Sequence, residues 1–598
     1  MNLRRFHLRA SWAAIVIVLV AVGFMAASTQ NDSPIVDEVP HIGAGYSYVR
    51  MLDMRLNPEH PPLIKDLAGL ALLPLPLNER AFALPQWTDQ VNGQWTFGRA
   101  FIFGSENNAD IILRVARLPM LGVFLLGAWL VWLWARKRSG ETGALIAVTL
   151  YAFSPTIMAH GRFVTTDMGA AIGVLAATYT FLQLLRAPTR RSFIWAFIAL
   201  GLALLAKFST VLLGPFFLGI ALLYGLDGHW FAASAWRRAL RMLGLTAAVG
   251  TAAFVGVVVP VYTLQTWNYP MERQLADTET ILDSHADSLL KSAILWGADK
   301  PVIRGATHWA LGLAMVQQRS AGGNTIYWMG RVVTRGGPSY FPTVYFLKEP
   351  LAWWLLVSAA ITALIFHHRR RRGEHARGHW WSDNFDEWVW LLWLAIYWTV
   401  SIRSTLNIGV RHLLPIYPFA ILLVSGRIAV LLEWLKAHDA RRWRITSLVI
   451  ALILGWYSFE AIRVWPSSLS YFNQIAGGPS GGYRFVADSN LDWGQDLKRL
   501  AQWAEANDVR AISLDYFGWA DPAYYLKGRS VWTTGNIWKD ANDFAQRNAS
   551  DGWIAVSATF LQEATNRPRP SDTTYRWLLE YPPEIVIGNS IFVWHIPR

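Results

Sequence analysis

Two short segments just after the first hydrophobic stretch carry residue types from which a reaction can be built. They read Asp37-Glu38-Val39-Pro40-His41 and Asn57-Pro58-Glu59-His60-Pro61-Pro62-Leu63-Ile64-Lys65, and hold three acids, two imidazoles and a lysine. At the end of a membrane helix an acidic pair costs desolvation energy unless water, a cation or a substrate partners it, so the cluster reads as a site rather than a solvated loop. The prolines fix the backbone beside His60. A carboxylate within hydrogen-bond reach of a hydroxyl or amine can remove its proton as that group attacks. Adjacent carboxylates on a non-helical segment point in different directions, so one can act on an acceptor while the other orients a sugar hydroxyl or a basic partner. A glycosidase pair needs two carboxyls facing each other across a bond, which sequence neighbours supply poorly.

Cations are available on the same side. Lys65, Lys207, Lys348, Arg403 and Arg411 lie near predicted outer ends of membrane helices, with His60 and His412 beside two of them. At that depth they can stabilise the charge that develops on a lipid phosphate leaving group, although a single lysine or arginine at a helix end also snorkels to headgroups. Arg403 and Arg411 bracket a short segment ending in Pro415 and Pro418. Asp167 opens the fourth predicted span, where Thr165-Thr166-Asp167 offers helix caps as well as a substrate or cation ligand. Asp37, His41, Glu59, His60 and Asp167 are of metal-ligand type, the oxygens suiting Mg or Mn and the imidazoles Zn. No spacing among them is diagnostic, so a divalent cation stays open and no cofactor is assigned. Gly322 to Arg331 and Gly336 to Pro342 interleave glycines with aromatics that can stack sugar rings or anchor at an interface. Asp488 to Asp496 lacks the glutamate and incoming helix of an EF-hand and reads as helix capping after a strand.

Membrane helices must position these groups. A chain of 598 residues that is 53% hydrophobic, with 33 tryptophans and positive mean hydropathy, is too apolar for a soluble core of ordinary size. The net charge of +13 falls in short basic clusters between apolar runs, so it marks topology and implies no nucleic-acid partner. The absence of cysteine excludes disulfides, thiol nucleophiles and thiolate metal sites. Apolar runs near 11–28, 112–135, 143–159, 167–185, 192–206, 209–225, 242–266, 350–366, 387–402, 412–433 and 444–463 predict about eleven spans. The pair flanking Lys207 is short enough to be one bent or re-entrant element. Arg4, Arg5 and Arg9 before the first run imitate a signal peptide, but the acidic cluster and later spans favour an uncleaved helix. Arg136-Lys137-Arg138, Arg186 to Arg191, Arg237-Arg238-Arg241, Arg369 to Arg372, and Lys436 with Arg441, Arg442 and Arg444 fall on the side of the N-terminus, which is therefore expected to be cytoplasmic. The outer loops 29–110 and 267–349, the turn from His160 to Asp167 and the stretch from Arg403 to His412 then face outward. The expected fold class is a polytopic α-helical membrane protein, with a membrane domain over 1–465 and a small extracytoplasmic α/β domain over 466–598. Strands are expected at Tyr483 to Ala487, Arg510 to Tyr516, Trp553 to Val556 and Ile591 to His595, and a helix over Gly494 to Asn507.

The Asp37-Glu38 pair after the first span, His60-Pro61-Pro62, Asp167, Lys348-Glu349-Pro350 and Arg411-His412-Leu413-Leu414-Pro415-Ile416-Tyr417-Pro418 resemble the membrane glycosyltransferases with the C-type fold, in particular the protein O-mannosyltransferase and lipid A aminoarabinose transferase superfamily. The resemblance covers roughly residues 11–465 and is most specific in the first outer loop. It implies a polyprenyl-phosphate sugar donor loaded from the outer leaflet of the cell inner (plasma) membrane, and inverting transfer to an extracytoplasmic lipid, glycan or protein acceptor. By motif position Asp37 would be the acceptor-activating base and Glu38 would assist in substrate binding. His60 stands where the aminoarabinose transferases carry a phosphate-binding lysine, which leaves Lys65, Lys207 and Arg411 as substitutes. His41, Glu59, His60, Asp167, Lys348, Arg403 and His412 complete the expected substrate-binding set. The second outer loop is too short for the β-trefoil insertion of the protein mannosyltransferases. A transporter or lipid flippase is the rival class, but transporters place charges near the bilayer midplane and show paired repeats, whereas these charges gather at one rim without an internal repeat. A scaffold or receptor acting through its tail is a third reading.

Overall fold

A computed structural model of the chain describes residues 2–227, 229, 232–371, 384–532, 537–548, 550–567 and 574–596. Among the described residues, seven helices are long and apolar enough to cross a membrane: Ala10–Ser28, Ala109–Ala152, Thr166–Arg186, Phe208–Leu226, Ala233–Gln265, Val410–His438 and Ala440–Arg463. The Tyr340–Lys348 and Leu351–Ile365 helices, bent by 106°, make an eighth if they form one span. The expected spans at 192–206 and 387–402 are the Arg190–Ala206 and Phe385–Arg403 helices, the first only 17 residues long and the second carrying Asp386, Glu387 and Arg403 at its ends. Expected spans two and three run together in Ala109–Ala152, which breaks at Gly140 (φ 67°, ψ −169°), a conformation open essentially to glycine alone. Lys207 is extended between the Arg190–Ala206 helix and the Phe208–Leu212 turn of 3-10 helix, so the chain is interrupted there. Arg372 of the fourth basic cluster lies outside the described residues.

Helix starts are chemically marked. The side chains of Asn108, Ser154, Thr189 and Asp439 each accept a hydrogen bond from the backbone N–H three residues on, satisfying a donor that the first turn leaves open. Between the helices the apolar core is closed by large buried rings, among them Trp134, Trp390 and Trp393.

The bundle has two chemically different ends. At one, Arg138 reaches Glu387 at 3.1 Å and Arg186 reaches Asp386 at 2.5 Å, so two of the basic clusters converge on the start of the Phe385–Arg403 helix. Thr166–Arg186 carries Arg186 at this end and Asp167 at the other, and 21 residues of helix span about 30 Å, the thickness of a bilayer's apolar layer. Asp167 and Arg403 therefore lie together at the end away from the Asp386 cluster.

At that second end, the first outer segment folds into helices Glu38–Met51, Leu63–Leu72 and Gln94–Phe103. Glycines let them cross in backbone contact: a Cβ on Gly45 would lie 2.0 Å from the Lys65 carbonyl oxygen, and one on Gly98 would lie 2.2 Å from that of Val39. In the second outer segment β1 (Ile326–Trp328) pairs antiparallel with β2 (Arg331–Val333).

The C-terminal segment holds a five-stranded sheet of β3 (Ile512–Asp515), β4 (Ser530–Trp532), β5 (Trp553–Ser557), β6 (Ile585–Ile587) and β7 (Ile591–His595), in the order β4-β3-β5-β7-β6. β3 is parallel to both β4 and β5, and β7 is antiparallel to β5 and β6. The expected helix is present as Leu497–Ala506. The expected strand at Tyr483 to Ala487 is instead a 3-10 turn, Gly482–Arg484, with one isolated bridge from Val486 to Trp328. The glycines just before it, with Gly477 and Gly478 at positive φ, give the backbone a tight turn in place of a ladder.

Candidate active site

A cavity of about 640 Å³ opens between the helix ends, the first outer segment and the tail. Asp37 occupies the N-cap position of Glu38–Met51, yet its side chain makes no capping bond. It faces the cavity, where it accepts a hydrogen bond from Nη1 of Arg411 at 2.5 Å. The same nitrogen lies 3.6 Å from Oδ2 of Asp167, and the guanidinium sits 4.1 Å from the ring centroid of Trp493. Asp167 also accepts a hydrogen bond from Lys207 Nζ. Two carboxylates and two cations thus balance on one wall, with Lys207 and Arg411 lining the cavity and Asp167 behind them. Nε of Arg411 is buried with no hydrogen-bond partner among the described residues, so this cavity-lining guanidinium keeps an unmet donor. The turn that delivers Arg411 depends on Gly409 (φ 153°), whose Cβ would strike the Ser489 side chain.

Glu38 is turned the other way. Fully buried and outside the cavity lining, it accepts from Arg117 at 2.6 and 2.8 Å and from the backbone N–H groups of Ile35 and Val164 at 3.1 and 3.0 Å. Every accepting direction is used in holding the Asp37 segment against the Ala109–Ala152 helix and the turn at 161–165. The pair is not on an irregular segment: Glu38 is the first residue of a helix, and the helix start itself turns the two carboxylates apart.

His60, Glu59 and His41 line the cavity, and the two imidazoles meet edge to face at 5.2 Å. Burial pushes both below the usual histidine range, so both are neutral at pH 7. His41 Nδ1 bonds the Val164 carbonyl at 2.9 Å. His412 also lines the cavity. Lys65 does not: its buried ammonium donates to Tyr48, to the Asn57 carbonyl at 2.9 Å and to the His60 carbonyl at 2.7 Å, stapling the turn that presents His60. Burial brings its pKa down to about 7. Lys348 is likewise buried away from the cavity, donating to the carbonyls of Leu469 (2.7 Å) and Asn490 (2.6 Å) and so tying the tail to the bundle. Arg403 is exposed and outside the lining.

Several contributors have no obvious signature in the sequence. Arg319, from the Arg304–Gly322 helix, lines the cavity 3.5 Å from Glu59. Asp488, Trp493, Phe517 and Trp519 come from the tail. Asp488 does not cap a helix after a strand; it sits at φ 56° beside the cavity, and burial raises its carboxyl to about 6. The tail also pairs with the segment before Asp37: Ser33 and Val36 donate backbone hydrogen bonds to the carbonyls of Gln495 (3.0 Å) and Trp493 (2.8 Å). Below them Asp32 is fully buried between Arg162 (2.9 Å) and Arg499 (2.5 Å). Among the described residues no group of three or more His, Asp or Glu is arranged to hold a metal ion.

Residues 109–264 match the family described as dolichyl-phosphate-mannose-protein mannosyltransferase. No curated protein matches the chain by sequence. The apo oligosaccharyltransferase of Archaeoglobus fulgidus superposes with a TM-score of 0.50 at 11% identity, covering 93% of this chain and 71% of that one. The protein O-mannosyltransferase Pmt1–Pmt2 complex of S. cerevisiae, bound to the sugar donor, superposes with a TM-score of 0.51 at 11% identity, covering 82% and 92%. ArnT from Cupriavidus metallidurans, bound to undecaprenyl phosphate, aligns over 98% of both chains at 13% identity and a TM-score of 0.46. In its matched segment this multi-pass membrane chain resembles the dolichyl-phosphate-mannose-protein mannosyltransferases, and in its fold it resembles the oligosaccharyltransferase and the protein O-mannosyltransferase complex.

Proposed function

We propose that the chain is a glycosyltransferase of the cell inner (plasma) membrane that moves a sugar from a polyprenyl-phosphate donor to an extracytoplasmic acceptor. The observation that carries this reading is Arg411, held between Asp37 and Asp167 at the cavity wall with a buried Nε that has no hydrogen-bond partner among the described residues. In the transfer, an acceptor hydroxyl oxygen attacks the anomeric carbon and its proton passes to the Asp37 carboxylate. The bond from that carbon to the phosphate oxygen breaks with its electron pair on the oxygen, releasing polyprenyl phosphate. Arg411 and Lys207 neutralise the phosphate, and a phosphate that draws Arg411 toward itself frees Asp37 to act as the base. The walls exclude water that would otherwise hydrolyse the donor. Eleven spans with a cytoplasmic N-terminus put the cavity and the C-terminal sheet outside the cytoplasm; the convergence of basic clusters at the opposite end of the bundle supports this orientation.

Binding of a polyprenyl phosphate and of the matching polyprenol to purified protein in detergent tests the anion site. The phosphate is expected to bind at least tenfold more tightly, and Arg411→Gln to abolish the difference. Equal binding of phosphate and alcohol would overturn the assignment.

A further inference from the structure

The tail and the first outer segment bring a different chemistry to the cavity lining. Trp95, from the first outer segment, and Trp519, from the tail, stack at 5.1 Å with 29° between their planes, and both line the cavity beside Phe517. All three rings are only partly buried, so apolar ring surface remains open. Asp488 shares the lining. One of its oxygens accepts the Ser489 backbone N–H, and no cation lies within ion-pair distance of it among the described residues. Glu59 and Gln94, joined at 2.9 Å, add acceptors and donors on the same lining.

The placement of this wall follows from the sheet. Phe517, Gly518 and Trp519 leave the carboxyl end of β3, which runs parallel to β5, and the Phe517 N–H is fixed by Ser557 at the end of β5. Carboxyl ends of parallel strands are where loops of open α/β sheets converge on ligands. Next to the rings, Arg99 holds Asp521 at 3.1 Å, a second tie between the tail and the first outer segment.

The geometry points to a subsite for a carbohydrate acceptor, in which a sugar ring lies on Trp519 and Phe517 while Asp488 and Glu59 accept hydrogen bonds from its hydroxyls. Aromatic faces meet the C–H face of a pyranose, and planar carboxylates and amides meet its rim of hydroxyls. A lipid tail would be served by the rings alone and would gain nothing from the carboxylates beside them. Carboxylates on the same lining as the rings favour a polyhydroxylated ligand. The inference rests on the transferase reading for the word acceptor, and names the acceptor as a glycan or glycolipid sugar that presents a hydroxyl toward Asp37.

A panel of fluorescent mono- and oligosaccharides, with serine- and threonine-containing peptides alongside, is titrated against full-length protein in detergent. Wild type, Trp519→Ala, Trp519→Phe and Asp488→Asn are compared, and melting temperature is read to establish folding. At least one saccharide is expected to bind, about tenfold more weakly to Trp519→Ala, with partial rescue in Trp519→Phe and a several-fold loss in Asp488→Asn. No saccharide binding, equal binding by wild type and Trp519→Ala, or Trp519-dependent binding of peptides instead overturns the subsite. Polyprenyl-phosphate binding by wild type is scored in parallel. Its presence without saccharide binding removes only the subsite, whereas its absence with saccharide binding counts against the transferase reading.

Discussion

Asp37 and Glu38 differ by one methylene and one position, and the structure gives them unlike work. Asp37 is left at a helix start without a capping bond and accepts a hydrogen bond from Arg411 in the cavity. Glu38 spends both oxygens on Arg117 and two backbone donors. Glu38→Gln removes the carboxylate paired with the buried Arg117, which is expected to cost about 3–5 kcal/mol. A thermal melt in detergent reads this as a lowered transition, with Glu38→Leu/Arg117→Met recovering much of it. Asp492 offers a prediction of opposite sign. One oxygen accepts the Thr559 N–H at 2.8 Å, the other is buried without a partner among the described residues, and burial raises the carboxyl to about 8. The folded protein therefore holds a proton that the unfolded chain releases near pH 4. The stability this contributes is present below that value and lost as pH rises through about 8. Melting of Asp492→Asn against wild type should show the variant gaining relative stability between pH 5 and pH 8; a gap that does not change with pH would contradict the assignment. The sequence could identify acids after a membrane helix as unusual, because residue type and position suffice for that. It could not separate Asp37 from Glu38, since the division depends on Arg117 and Val164, which only the fold brings near.

The elements that carry these groups were legible in proportion to their apolar length. Helices stand where long apolar runs predict them, because burying a helix's backbone groups in lipid leaves few alternatives. The tail was harder: glycines break Tyr483 to Ala487 into a turn although its residues favour strands. Its role in the cavity was invisible as well, because the contacts of 493–497 with 33–36 cross more than four hundred positions of sequence. Close helix crossings in the first outer segment are equally silent in composition. Gly45→Ala must push the Lys65 backbone aside, since the new Cβ would meet its carbonyl oxygen at 2.0 Å. Such overpacking is expected to cost about 1–3 kcal/mol in detergent melts. Gly122→Ala, where a Cβ meets nothing within 4 Å, is the matched control and should be neutral or mildly stabilising.

Taken whole, the molecule is a bundle with two chemically different ends. Arg138, Arg186, Asp386 and Glu387 knit the first, while Asp37, Asp167, Lys207 and Arg411 gather at the second. Because the chain has no cysteine, its orientation can be read with single introduced thiols. Glu505→Cys, on an exposed face of the tail helix, should react with a membrane-impermeant maleimide in intact cells, and Arg190→Cys only after lysis. The reverse pattern would invert the topology. The most direct test of the account is sugar transfer from a set of polyprenyl-phosphate donors by purified wild type and Asp37→Asn, with donor binding measured on the same samples. Transfer is expected to fall by about 10²–10⁴-fold in Asp37→Asn while donor binding stays within a few-fold. Equal transfer by the two proteins would contradict Asp37 as the base, and absence of transfer and donor binding by folded wild type would contradict the enzyme itself.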